Sequence, residues 1–107
     1  MIVYRVQNHR GSGPYRPSCM ELMDADLRHE LNLHGTSNNR PLSIMDIGRR
    51  ARPNEIHGFI TLEQCNQWFP RDLRIKLSKY GFHIAMIKDV VVTAVGQYQC
   101  LFIGDRK

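Results

Sequence analysis

The densest hydrophobic pattern lies in the last third of the chain, residues 81–104, GFHIAMIKDVVVTAVGQYQCLFIG. Phe82, Ile84 and Met86 alternate with His83, Ala85 and Ile87, and Lys88 with Asp89 then interrupts the run. Residues 90–95, VVVTAV, form a β-branched segment that Gly96 stops. Beyond it Tyr98, Cys100 and Phe102 alternate with Gln97, Gln99 and Leu101. Alternation with a period of two, in β-branched and aromatic residues, predicts strands on a half-buried pleated surface. Short breaks between the three segments, bracketed by Gly81 and Gly104, predict an antiparallel meander. At the other end IVYRVQ, residues 2–7, also alternates. It predicts an N-terminal strand that joins this sheet, with Arg5 on the face opposite Tyr4.

Between these ends the period lengthens. Ser18 with Glu21 is a capping-box pair that predicts a helix over 18–32, and Met20, Met23, Leu27 and Leu31 give it one apolar face. Residues 35–54 are rich in turn formers and predict a long loop with at most one helical turn, from which Leu42, Ile44, Met45 and Ile47 are expected to reach the core. In EIHGFITLEQCNQWFPRDLRIKLSKYG a short strand through Ile56, Gly58 and Ile60 runs into a second capping box, Thr61 with Gln64. Leu62, Cys65 and Phe69 share a helical face, and Leu73, Leu77 and Tyr80 continue it after Pro70, where a second short helix can begin. Trp68 beside this stripe reads as core, with an aromatic anchor for a partner or a base as the alternative. The sum is an α+β chain: one small domain spanning 1–107, antiparallel sheets, and two or three short helices.

Composition narrows this picture. A hydrophobic share of 42% with 23% charged residues is that of an ordered globular chain. Fifteen Lys and Arg against ten Asp and Glu give a net charge of +5, which suits an acidic partner such as a nucleotide, a nucleic acid or an acidic protein face. Arg49, Arg50 and Arg52 form the local cluster, either a solvated loop or a phosphate-binding patch. The three cysteines, 19, 65 and 100, lack any CxxC spacing, which favours a reducing compartment, and with no signal-like or membrane-spanning run the expected location is the cytoplasm. His29 and His34 complete no zinc set, so no metal is expected.

The order of motifs resembles the ADP-ribosyltransferases of the class built on an Arg, a Ser/Thr motif and a Glu. Arg5 in VYRV resembles the family's first-strand Arg, and the Gly-rich HRGSGPYRP follows it. Phe59 and Thr61 in HGFITLEQ resemble the aromatic and Ser/Thr of the middle strand. Gln97 and Gln99 in GQYQCLF stand where the family carries its Gln/Glu-x-Glu pair. The chain is also similar to small proteins encoded by bacteriophages.

The first resemblance implies NAD as cofactor. Arg5 would hold a phosphate, Gly11, Gly13 and Tyr15 would shape the adenosine side, Phe59 and Thr61 would support the nicotinamide, and Gln97 and Gln99 would face the ribose and acceptor. The departure is Gln99: an amide cannot supply the negative charge that stabilises an oxocarbenium-like ribose, so the protein would be catalytically degenerate unless another acid, such as Glu63 or Asp105, takes that place. The alternative function is a non-catalytic phage-type protein that binds and inhibits a host protein or nucleoprotein complex. Direct nucleic-acid binding ranks below both, because no zinc-finger, RNP or helix-turn-helix pattern is present.

Overall fold

A computed structural model of the chain describes residues 1–34, 36, 37 and 40–104, with the backbone alone at 36 and 37. The alternating N-terminal segment forms β1, Val3–Gln7, which buries Val3 and Val6 and pairs antiparallel with β5, His83–Ile87, from Val3 opposite Ile87 to Gln7 opposite His83. A second antiparallel sheet contains β4 (Ile56–Gly58), β6 (Val91–Val95) and β7 (Cys100–Ile103), in the order β4-β7-β6. β2 (Thr36–Ser37) and β3 (Arg40–Pro41) form a two-residue ladder. The architecture is α+β with antiparallel sheets, and the N-terminal strand joins a C-terminal one as the alternation predicts.

The expected three-stranded meander is corrected. Of the three strands in this segment, β6 and β7 pair with each other, while β5 belongs with β1 in the other sheet. The cause lies at the break: Asp89 adopts a positive φ of 57°, and the Val90 N–H donates to the Met1 carbonyl at 3.3 Å. The chain thus crosses between sheets instead of reversing on itself. Val90 then packs with Val3, Cys100 and Phe102 in a small buried cluster of its own.

The helix expected over 18–32 is divided into α1, Pro17–Met20, and α2, Ala25–Asn32. Ser18 does not cap it. Pro17 already sits inside the first turn, and Asp24 opens α2 instead, its extended backbone breaking the run and its carboxylate accepting the Leu27 N–H at 2.8 Å. Met23, Leu27 and Leu31 still reach the core. α4, Leu62–Trp68, carries both bonds of the Thr61–Gln64 capping box, and α5, Arg71–Ser78, begins after Pro70. Cys65, Trp68, Leu73 and Leu77 from these helices meet Val6, Phe59, Phe69 and Phe82 in the main core.

The loop from 42 onward departs most from expectation. Its helical turn, α3 (Ser43–Asp46), is present, but Leu42, Ile44 and Met45 are 59%, 46% and 78% exposed and contribute nothing to the core. Charge holds the segment instead of apolar burial. The Asp46 carboxylate accepts the consecutive N–H groups of Gln97, Tyr98 and Gln99 at 2.7, 3.1 and 3.1 Å, a nest of backbone donors that binds an anion. Arg49 grips Glu55 in a two-bond fork at 2.6 and 2.7 Å, and Glu55 also accepts the Arg52 N–H and the Thr93 hydroxyl. Arg49 is thus committed within the protein and does not extend a phosphate patch.

A Cβ on Gly96 would overlap the Asp46 carboxylate. Gly96→Ala and Asp46→Ala are each expected to destabilise the fold by about 2 kcal/mol, the scale of losing charge-assisted hydrogen bonds. Their combination should cost no more than the larger single change, because both remove the same contact. Urea denaturation of the two variants and the double variant measures this, and additive losses would contradict it.

Candidate functional site

Among the described residues, one isolated backbone bridge joins the two sheets. Tyr4 and Phe59 exchange both backbone hydrogen bonds, at 2.7 and 2.8 Å, and no further pairing between β1 and β4 follows. Since the N–H and C=O groups of alternate residues point to the same side of a strand, the His57 carbonyl also faces β1 but finds no backbone donor there. Arg5 satisfies it, Nη1 donating at 2.8 Å. The strands diverge around this guanidinium and open a cavity of about 680 Å³.

Arg5, Gly11, Gly13, Tyr15, Phe59 and Gln99 all line that cavity. Thr61 and Gln97 do not. Thr61 spends its hydroxyl on the cap of α4, and Gln97 is exposed on the β6–β7 turn, where its carbonyl accepts from Gln64 Nε2 at 3.0 Å. The Gly-rich loop is held by Asn8, whose Oδ1 accepts the N–H groups of Arg10 and Ser12, both at 3.0 Å. Gly11 has a φ of 82°, and a Cβ on Gly13 would stand 3.0 Å from Arg5 Nη2, so the loop lies directly against the guanidinium. Burial pulls the Arg5 pKa below its ordinary value, and the group stays charged.

Gln99 is 5% exposed and holds the opposite wall. Its Nε2 donates to the Pro41 carbonyl at 2.9 Å, while Oε1 meets no donor among the described residues. Arg40 fastens the same segment from its other side, Nε donating to the Trp68 carbonyl at 2.7 Å. With Asp46 bound to the 97–99 backbone, the segment from 40 to 46 is a strap tied at three points over the cavity. Pro41, Leu42 and Ser43 contribute its lining.

Aromatic rings form the remaining wall. Tyr15 lies 5.9 Å from Phe69 and 5.5 Å from the His34 ring, and Phe59 packs on Trp68 at 5.8 Å. Trp68 is therefore both core and cavity wall. Its Nε1, which can only donate, bonds Tyr15 Oη at 2.7 Å, and Tyr15 Oη also meets His34 Nδ1. The arrangement that satisfies each group has the Tyr15 hydroxyl donating to Nδ1, leaving His34 neutral with its proton on Nε2. Burial, and then the Arg40 charge, hold the His34 pKa down to about 4. Burial likewise raises the Tyr15 hydroxyl well above its usual value. His57 is lowered by burial and by the Arg5 charge. Neither His34 nor His57 was marked by sequence spacing as part of this site; an isolated histidine, in a turn like His34 or on a short strand like His57, carries no such signal.

Among the described residues, no Asp or Glu lines the cavity. Glu63 lies elsewhere, on the first turn of α4, and Asp105 lies outside the described residues. Cys65 and Cys100 are fully buried, and burial pushes both thiols up to about 11, which removes them as nucleophiles at neutral pH. The cavity offers guanidinium donors, aromatic rings and the side-chain amides of Asn32 and Gln99.

The depressed histidines fix a pH dependence. With His34 and His57 below 6.5 in the fold, the unfolded chain takes up protons first as pH falls, so stability is full above about pH 6.5 and declines towards pH 4. Asp24 and Glu55, whose pKa values are lowered, begin to lose their contribution only as pH falls through the ordinary carboxylate values of 3.8 and 4.5, at the acid end of this window. Denaturation midpoints at pH 7.5 and pH 5 should differ in the native protein and differ less in His34→Gln; an unchanged midpoint across this range would contradict the assignment.

No curated protein and no solved structure matches the chain. The full length, residues 1–107, matches the family described as the bacteriophage T4 Y00F protein. A helix long and apolar enough to cross a membrane is absent among the described residues. The chain, with its strapped cavity between two antiparallel sheets, belongs to the bacteriophage T4 Y00F protein family.

Proposed function

We propose that this protein binds an adenine dinucleotide of the NAD type in the Arg5 cavity and lacks the turnover of an ADP-ribosyltransferase. The observation that carries the reading is the gathering of Arg5, Gly11, Gly13, Tyr15, Phe59 and Gln99, from four separate stretches of chain, around one cavity. Arg5 Nη2 beside the 11–13 backbone suits a diphosphate, since a planar guanidinium and closely approaching N–H groups both favour phosphate oxygens. The Tyr15, Phe69, Phe59 and Trp68 rings suit the base.

Gln99 supports the non-catalytic half of the reading. As an amide it ties the strap through its donation to Pro41; a glutamate in its place would set an oxygen against that carbonyl. The residue that would supply transition-state charge is here used to close the cavity. Absence of one such electrostatic contribution costs roughly 10²- to 10³-fold in rate.

Millimolar NADH or ADP-ribose should raise the melting temperature of the native protein, and Arg5→Ala should abolish the rise. Radiolabelled NAD with cell lysate should give no transferred label. A melting temperature indifferent to every adenine dinucleotide, or an equal rise in Arg5→Ala, would overturn the binding assignment. Efficient labelling would overturn the non-catalytic one.

A second reading, binding and inhibition of a host protein, is favoured by one observation: the apolar exposure of Leu42, Ile44 and Met45 on the strap. Membership of a phage protein family is compatible with it. Capture of a stoichiometric host partner by the native protein, lost in Met45→Asp, would support this second reading; capture unaffected by Met45→Asp would count against the strap as its surface.

A further inference from the structure

The electrostatics at the Gln99 end of the cavity are one-sided. Gly58 pairs with Cys100, which sets Phe59 beside Gln99 across the β4–β7 ladder. Tyr4 pairs with Phe59 from the other side, which sets Arg5 beside Gly58, and the guanidinium itself rests on the His57 carbonyl. Arg5 and Gln99 thus line the one cavity from the two sides of the 57–59 segment, and Arg5 puts a fixed positive charge on that lining. Arg16, the other arginine of the lining, adds a second positive charge, its Nη1 donating to Ser12 Oγ at 3.0 Å. No carboxylate on the described lining opposes them.

A bound NAD⁺ would bring a pyridinium cation into this surrounding. The same molecule in its reduced form carries an uncharged dihydropyridine of nearly the same size, and ADP-ribose carries only a hydroxyl at that point. Resting on the nucleotide reading above, we propose that the site selects the ADP-ribose class, nucleoside diphosphates whose distal ribose bears no cation, and discriminates against oxidised NAD. The diphosphate lies on Arg5 and the 11–13 loop, the base on the aromatic wall, and the distal ribose against Gln99. Gln99 Oε1, which meets no donor among the described residues, accepts from a ribose hydroxyl. The Nε2–H of His34 is an uncharged donor held in one orientation by Tyr15 and Trp68. Selectivity follows from charge, because the attraction between the two arginines and the diphosphate is shared by all three ligands while the pyridinium is repelled by both.

Isothermal titration of the full chain with ADP-ribose, NADH and NAD⁺ at low salt tests this. ADP-ribose and NADH should bind roughly tenfold or more tightly than NAD⁺, and the NADH to NAD⁺ ratio should shrink as salt is added. NADH and NAD⁺ are matched in size, so their comparison isolates the charge. NAD⁺ binding as tightly as NADH would overturn the selectivity and leave nucleotide binding standing. If none of the three binds, the nucleotide reading falls and the selectivity falls with it.

Discussion

The single backbone bridge between Tyr4 and Phe59 is the constraint from which the site follows. One pair of hydrogen bonds joins the edges of two sheets, and the next carbonyl on that side of β4, at His57, has no strand partner. A buried or half-buried carbonyl needs a donor. Arg5 supplies it, and so is drawn to the mouth of the divergence, against the 11–13 loop. A continuous sheet would have satisfied His57 by backbone pairing, left Arg5 free at the surface and left no space for a cavity.

The far side of the cavity is closed by a different device. The strap carries almost no apolar anchorage, and its exposed Leu42, Ile44 and Met45 cannot hold it. Its attachment is polar and mostly to backbone: Asp46 to three N–H groups, Gln99 to the Pro41 carbonyl, Arg40 to the Trp68 carbonyl. Gln99 belongs to both walls. Its own N–H is bound by Asp46 while its side chain binds Pro41, so the residue most relevant to chemistry is also part of the closure.

Local patterns in the sequence carried much of this. The Thr61–Gln64 capping box, the break at Pro70 and the alternation of β1 and β7 each depend on neighbours within a few residues, and each is present where the pattern puts it. The resemblance motifs brought Arg5, Phe59 and Gln99 to attention, and these line one cavity, whereas Thr61 and Gln97 lie outside it. What could not be read depends on distant backbone. Asp46 binds N–H groups more than fifty residues away, and a nest of N–H groups has no side-chain signature. The separation of β5 from β6 depends on Asp89 in the left-handed region and on Val90 reaching Met1, which an alternating pattern does not reveal. Asp24 displaced Ser18 as helix cap because Pro17 already started a turn. His34 entered the site through a tyrosine and a tryptophan from two other elements.

The claim that an anionic nucleotide occupies the space between the two sheets is tested most directly by amide chemical shifts. Titration of ¹⁵N-labelled protein with ADP-ribose should move the backbone resonances of Arg5, Gly11, Gly13, Tyr15, Phe59 and Gln99 together, with one common saturation curve, and leave those of α5 in place. Shifts confined to α5 or to the β6 edge, or none at saturating ligand, would contradict it.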